Sequence, residues 1–166
     1  MVIRSDLPGF TSGEARRALD GLPRSGEYEV VVKPLRFRRR PHLAARCEFE
    51  DRRIVLQVPE PFRPFKELVF HSARRKRGAG MQFAWLSENV SFRSRREVLR
   101  FLYCHEWMHW YLYEVLRKRS AAETACDRFA LANFRRRVVL PADANAALRR
   151  TRLWEGQNAT RSQRPA

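Results

Sequence analysis

No stretch of this chain approaches the roughly 18 uninterrupted apolar residues that a membrane-spanning helix requires, so nothing in it reads as a span. The N-terminus, Met1-Val-Ile-Arg-Ser-Asp-Leu-Pro8, lacks a basic start followed by an apolar core. That excludes a signal peptide and leaves a cytoplasmic location as the expectation. Cysteine is scarce: Cys47, Cys104 and Cys126 form an odd set without framework spacing, and they read as reduced thiols. Acidic residues are also few, 18 against 34 basic, and internal repeats are missing altogether. Histidine occurs four times in 166 residues, and two of the four fall in one short motif.

The shortage of acid leaves a net charge of +16, carried mostly by arginine. A charge of that size draws polyanions through counterion release, so nucleic acid is a natural neighbour. The competing reading is that the charges only solvate the surface. Clusters at Arg36–Arg40, Arg74–Arg77, Arg93–Arg96 and Arg135–Arg137 are spread along the chain. No stacking-aromatic or groove-helix motif accompanies them in the sequence, so base-specific readout is not expected.

Hydrophobic residues make up 44% and aromatic residues 11% of the chain, enough for one globular core. The expected class is α+β, strands followed by two consecutive helices. Residues 1–25 read as a short helix and lead-in, 26–140 as the principal domain, and 141–166 as a C-terminal helix with a disordered basic tail. The first helix spans Thr11–Leu19, stopped by Gly21 and Pro23. Strands are expected at Tyr28–Val32, Ala45–Phe49 and Arg53–Val58, the last two as a hairpin. The prolines 59, 61 and 64 suggest an extended loop, and Phe65–Phe70 is ambiguous. His71–Gly80 reads as a basic loop, with strand character resuming over Met81–Leu86 and Val90–Phe92. Helices follow at Arg95–Lys118 and Ala121–Arg135, and Pro141 suits the first turn of a third.

Within the first of these long helices lies Cys104-His105-Glu106-Trp107-Met108-His109, an HExxH pattern. Positions i and i+4 of a helix share a face one turn apart, so His105 and His109 can offer two imidazoles to one tetrahedral Zn²⁺. Both fall on the apolar stripe of Val98, Phe101, Leu102, Met108, Leu112 and Leu116, where a buried imidazole needs a partner. Glu106 beside them is placed to take a proton from metal-bound water and return it to a leaving amine. Cys104 and Cys126 are second choices as ligands and read first as small core residues.

Downstream, Glu123-Thr-Ala-Cys-Asp127-Arg-Phe-Ala130 places two carboxylates four residues apart on one helical face. With HExxH, this stretch resembles the gluzincin type of zincin metallopeptidase from Val90 to Arg137. The second helix is similar to the Glu-x-x-Ala-Asp helix of membrane-embedded and ImmA/IrrE-type peptidases. The thirteen residues between His109 and Glu123 are nearer the spacing of the SprT-like proteases. Those carry a third histidine there, and this chain has none after His109. The resemblance implies a small twisted sheet packed against the two helices, with Glu123 as third zinc ligand and Asp127 as hydrogen-bond partner of a ligand histidine.

Two alternatives stand beside it. If the first helix runs to Lys118 and the second returns antiparallel, Asp127 comes nearer the level of His109 and becomes the ligand. Ser120-x-x-Glu123 is also a capping box, like Ser94-x-x-Glu97 and Thr11-x-x-Glu14. Tyr111, Tyr113, His71 and Arg128 are candidate oxyanion donors. The resemblance further implies an edge strand that pairs with substrate backbone, and Met81–Phe92 is the candidate, with an ordinary interior strand as the other reading. The function these readings converge on is zinc-dependent peptide hydrolysis, with a protein or peptide substrate. The alternative is a basic, nucleic-acid-associated binding protein whose zincin-like core is structural.

Overall fold

A computed structural model describes residues 1–75, 83–118 and 122–148. Its class is α+β. Three strands, β1 (Ile3–Ser5), β2 (Glu29–Leu35) and β4 (Arg53–Pro59), run parallel, and β3 (Ala44–Glu48) lies antiparallel to β4 at one edge, giving the order β1-β2-β4-β3. The hairpin of β3 and β4 is as the alternation predicts. The parallel pairing of β2 with β4 could not be read from alternation alone, because Val30, Val31 and Val32 are buried in succession and the alternation is lost. On one face Val30, Val32, Ile54, Leu56 and Val58 join the main core. On the other, Val31 and Val55 share a register row flanked by Arg4 and Arg46, whose long side chains suit a sheet face turned to solvent.

Residues 1–25 belong to this same unit: β1 completes the sheet, and α1 (Ser12–Leu19) contributes Ala15, Ala18 and Leu19 to the core. Thr11 and Glu14 form the expected capping box, each bonding the other's backbone N–H, at 3.2 and 2.7 Å.

The expected proline loop is found over residues 60–64, between β4 and the next strand. Pro59 closes β4, and the Glu60–Pro61 bond is cis. Phe65–Arg75 is a single strand, β5, so residues 71–75 are strand and not loop, while 76–80 lie outside the described residues. It pairs antiparallel with β6 (Phe83–Phe92) in a separate two-stranded ribbon, with a register shift between Phe70 and Ser72. β6 is therefore not an edge of the main sheet, and that role falls to β3.

Helix α2 (Arg95–Trp110) crosses the apolar face of the sheet, buried on most of its circumference. Ser94 caps it, accepting from the Glu97 N–H at 3.2 Å, while the Glu97 carboxylate takes the Arg93 N–H rather than that of Ser94. α2 stops short of Lys118. It widens into a π-helical turn over Tyr111–Val115, and Arg117 closes it in the left-handed region (φ 53°) with the Lys118 N–H on the Leu112 carbonyl. α3 (Glu123–Asn133) then returns against α2, and residues 142–148 form a further helical segment with Ala144 and Ala147 in the core. Residues 149–153, the end of the expected third helix, lie outside the described set, as do 119–121.

Arg100 draws these elements together. Its guanidinium is buried and donates to the carbonyls of Ala18 and Asp20 at the end of α1 and of Phe134 and Arg136 at the end of α3. The last carbonyls of both helices thus find a cation that also complements their dipoles. Nearby, Gly21 (φ 76°) accepts the Val139 N–H at 2.8 Å, and a Cβ there would sit 2.1 Å from the Arg137 carbonyl oxygen, so only glycine permits the approach. Arg100→Met should cost about 3 kcal/mol or more, because several buried carbonyls lose a charged donor at once. Arg100→Lys should fall between it and wild type, since an ammonium cannot span both helix ends. Urea denaturation midpoints check both.

Candidate metal centre

The two histidines of the HExxH pattern lie, as the helical spacing predicts, on one face of α2, with Nε2 atoms 3.1 Å apart. The first residue of α3 meets them. Glu123 places Oε2 at 3.2 Å from His105 Nε2 and Oε1 at 3.4 Å from His109 Nε2. Donors about 2.0–2.1 Å from a tetrahedral Zn²⁺ stand about 3.3 Å from one another. The three separations match such edges, so the donor set fits a divalent ion with a fourth position left open. His105, His109 and Cys126 also bring one donor atom each within 4.8 Å of one another. Cys126 is fully buried, and burial pushes its thiol well above the usual range. Glu123 and the histidines form the tighter set.

Asp127, one turn further along α3, takes the opposite side of His105, its Oδ1 2.8 Å from Nδ1. The two carboxylates thus meet different nitrogens of His105, and with Nδ1–H donated to Asp127, Nε2 would be the nitrogen offered to an ion held beside His109 and Glu123. Counting levels from a turn at Lys118 misplaces them because regular α geometry ends at Trp110 and α3 begins only at Glu123. Glu123 is no cap: Ala122 is the N-cap without a side-chain bond, so Glu123 is the first helical residue and not the third. Ser120, the other half of the proposed box, lies outside the described residues.

Burial opposes the charge on His105, yet the bonds to Asp127 and Glu123 outweigh it and raise its pKa to about 10. Burial and the neighbouring His105 depress His109. Glu123 is held below the usual carboxylate range by its bond to His105. A divalent cation seated among these donors would take the place of the His105 proton. Glu106 faces the sheet beside them, buried. Burial raises its pKa to about 7, the adjacent His105 and the Cys47 amide of β3 pull it back, and Glu123 and Asp127 push it up. A carboxylate poised near neutral pH can both accept and return a proton.

The four oxyanion candidates have structural engagements. Tyr111 is buried and stacked on Trp107 at 5.1 Å, and Tyr113 is stacked on Phe49 at 4.2 Å. Arg128 donates to the carbonyls of His71 and Ala147, and His71 is the residue at the register shift of β5. Cys104 is fully buried in the core.

Three features of the site were not foreseen. Trp107, inside the motif, stacks on Phe129 of α3 at 5.2 Å and donates Nε1–H to the Arg24 carbonyl, fixing the helix spacing beneath the histidines. The edge strand beside Glu106 is β3, where Met81–Phe92 was expected; Met81 and Gln82 lie outside the described residues. Arg100, one turn before the motif, anchors α3. Among the described residues no helix is long and apolar enough to cross a membrane. No protein-family model, curated protein or solved structure matches this chain.

The arrangement predicts that His105→Ala and His109→Ala each abolish stoichiometric zinc binding, measured by elemental analysis after gel filtration. Glu123→Ala should lose more affinity than Asp127→Ala, whose orienting role accounts for a loss of about 10–100-fold. The reverse ranking in a competitive chelator titration would make Asp127 the ligand.

Proposed function

We propose that this protein is a zinc-dependent metallopeptidase of the zincin type, as the resemblance of its HExxH and Glu-x-x-x-Asp helices implies. The observation that carries the reading is the triangle of His105, His109 and Glu123 donors at 3.1–3.4 Å, with a buried Glu106 beside it. His105, His109 and Glu123 would hold a Zn²⁺ ion, which would supply Lewis acidity for the scissile carbonyl and for the attacking water. Glu106 accepts the proton of the attacking water and passes it to the departing amine. Asp127 holds His105 in the tautomer that presents Nε2.

β3 supports a peptide substrate. Among the described residues it is paired on one side only, with β4, and its Cys47 amide lies against Glu106, so a peptide added along its other side would run past the proton carrier. What favours an enzyme over a structural zincin-like core is the buried Glu106 carboxylate set beside the His105–His109–Glu123 triangle, which a purely structural site does not need.

Glu106→Gln tests the reading. The variant should retain one zinc per chain, because this residue is no ligand, and lose cleavage of a peptide library by at least about 100-fold. Cleavage at the wild-type rate by zinc-loaded Glu106→Gln protein overturns the peptidase assignment.

A further inference from the structure

The ribbon of β5 and β6 has two unlike faces. Inward, Val69, Val90 and Phe92 are buried in the core, and Phe65 stacks on Phe92 at 5.2 Å. Outward, Lys66, Leu68 and Phe70 alternate along β5, and β6 adds Ser87 and Asn89 opposite them. Beyond the register shift comes Trp85 on β6. Leu68 is 50% exposed, Phe70 44% and Trp85 58%, and Phe70 and Trp85 meet edge to face at 6.4 Å. That contact braces the two rings and leaves ring face open to solvent. Large aromatics left outside a core mark an interaction surface when they adjoin one another.

Charge names the occupant. Lys66 stands on the outward face, and Arg63 and Arg93 flank the same end of the ribbon, while Glu67 and Glu88 fall on inward positions by register. Phe70 lies four residues along β5 from Lys66, roughly 13 Å, so these cations and the rings share one extended track. A second copy would set a net charge of +16 against the same charge, which disfavours self-pairing. A polyanion recognised by charge alone would leave the rings without a partner. An unpaired nucleic-acid strand offers both phosphates and base faces, whereas a duplex hides its base faces within the stack.

We propose that the outer face of this ribbon binds single-stranded nucleic acid, with Phe70 and Trp85 stacking on bases and the flanking lysine and arginines taking phosphates. The arginine clusters look unaccompanied by stacking aromatics along the sequence, and pairing of the two strands supplies the rings. Binding here is independent of the metal centre and of any cleavage.

The test is fluorescence anisotropy of labelled oligothymidine, oligouridine, a mixed duplex and heparin with wild-type, Phe70→Ala/Trp85→Ala and Trp85→Phe proteins. The double variant should bind the single strands about tenfold or more weakly, since stacking on each base is lost, while heparin binding is unchanged. Trp85→Phe, which keeps a ring, should bind nearly as wild type. Whichever of the thymidine and uridine strands binds more tightly identifies DNA or RNA. The proposal is overturned if the double variant, shown folded by circular dichroism, binds the single strands as tightly as wild type. It is overturned equally if it loses heparin in parallel, or if sedimentation shows that the substitutions only dissociate a dimer.

Discussion

The grip of Arg100 on two helix ends is the constraint from which the rest of the molecule follows. α1 and α3 both finish beside Arg100 of α2, and each leaves carbonyls that a buried end cannot expose to water. One guanidinium in the first half of α2 accepts that burden for both. Its position fixes the far end of α3, and the Trp107–Phe129 stack fixes its middle. With two points set, the near end of α3 can only arrive beside the second turn of the motif, and Glu123 and Asp127 come to opposite nitrogens of one imidazole. A desolvated charge without a carboxylate partner is a costly way to join helices unless each of its donors is used, and here the fork geometry of arginine uses them.

Local chemistry was legible along the chain and long-range pairing was not. The caps at Thr11 and Ser94, the β3–β4 hairpin and the i, i+4 histidines are all written in residues a few positions apart. The ribbon escaped because Phe65–Phe70 has no clean alternation and the basic run His71–Gly80 reads as loop, although residues 71–75 are strand. The edge strand escaped for another reason. Which strand stands at an edge depends on β2 pairing parallel with β4, a contact between residues more than 20 positions apart. Arg100 escaped because an arginine on a stripe of apolar residues reads as a solvent-facing charge until the carbonyls around it are known.

At the metal centre, burial alone would neutralise every group. The arrangement instead spreads the titrating groups apart: His105 toward its charged form, His109 toward its neutral form, Glu106 toward the middle of the pH range. Each direction has a different neighbour as its cause, with Asp127 responsible for the first and the apolar wall around α2 for the last. Groups this close cannot be tuned singly, so altering Asp127 also alters the electrostatic environment of Glu106.

The uncapped start of α3 carries a kinetic consequence. Glu123 is the first residue of its helix, preceded by Ala122 with no side-chain bond to hold the turn, whereas His105 and His109 sit well inside α2. Helix ends fray and helix interiors do not. If the site takes a metal ion, the imidazole pair would be the waiting half and the carboxylate a latch. An incoming ion would meet two fixed nitrogens first, and its escape would be set by how often the opening turn of α3 lets go.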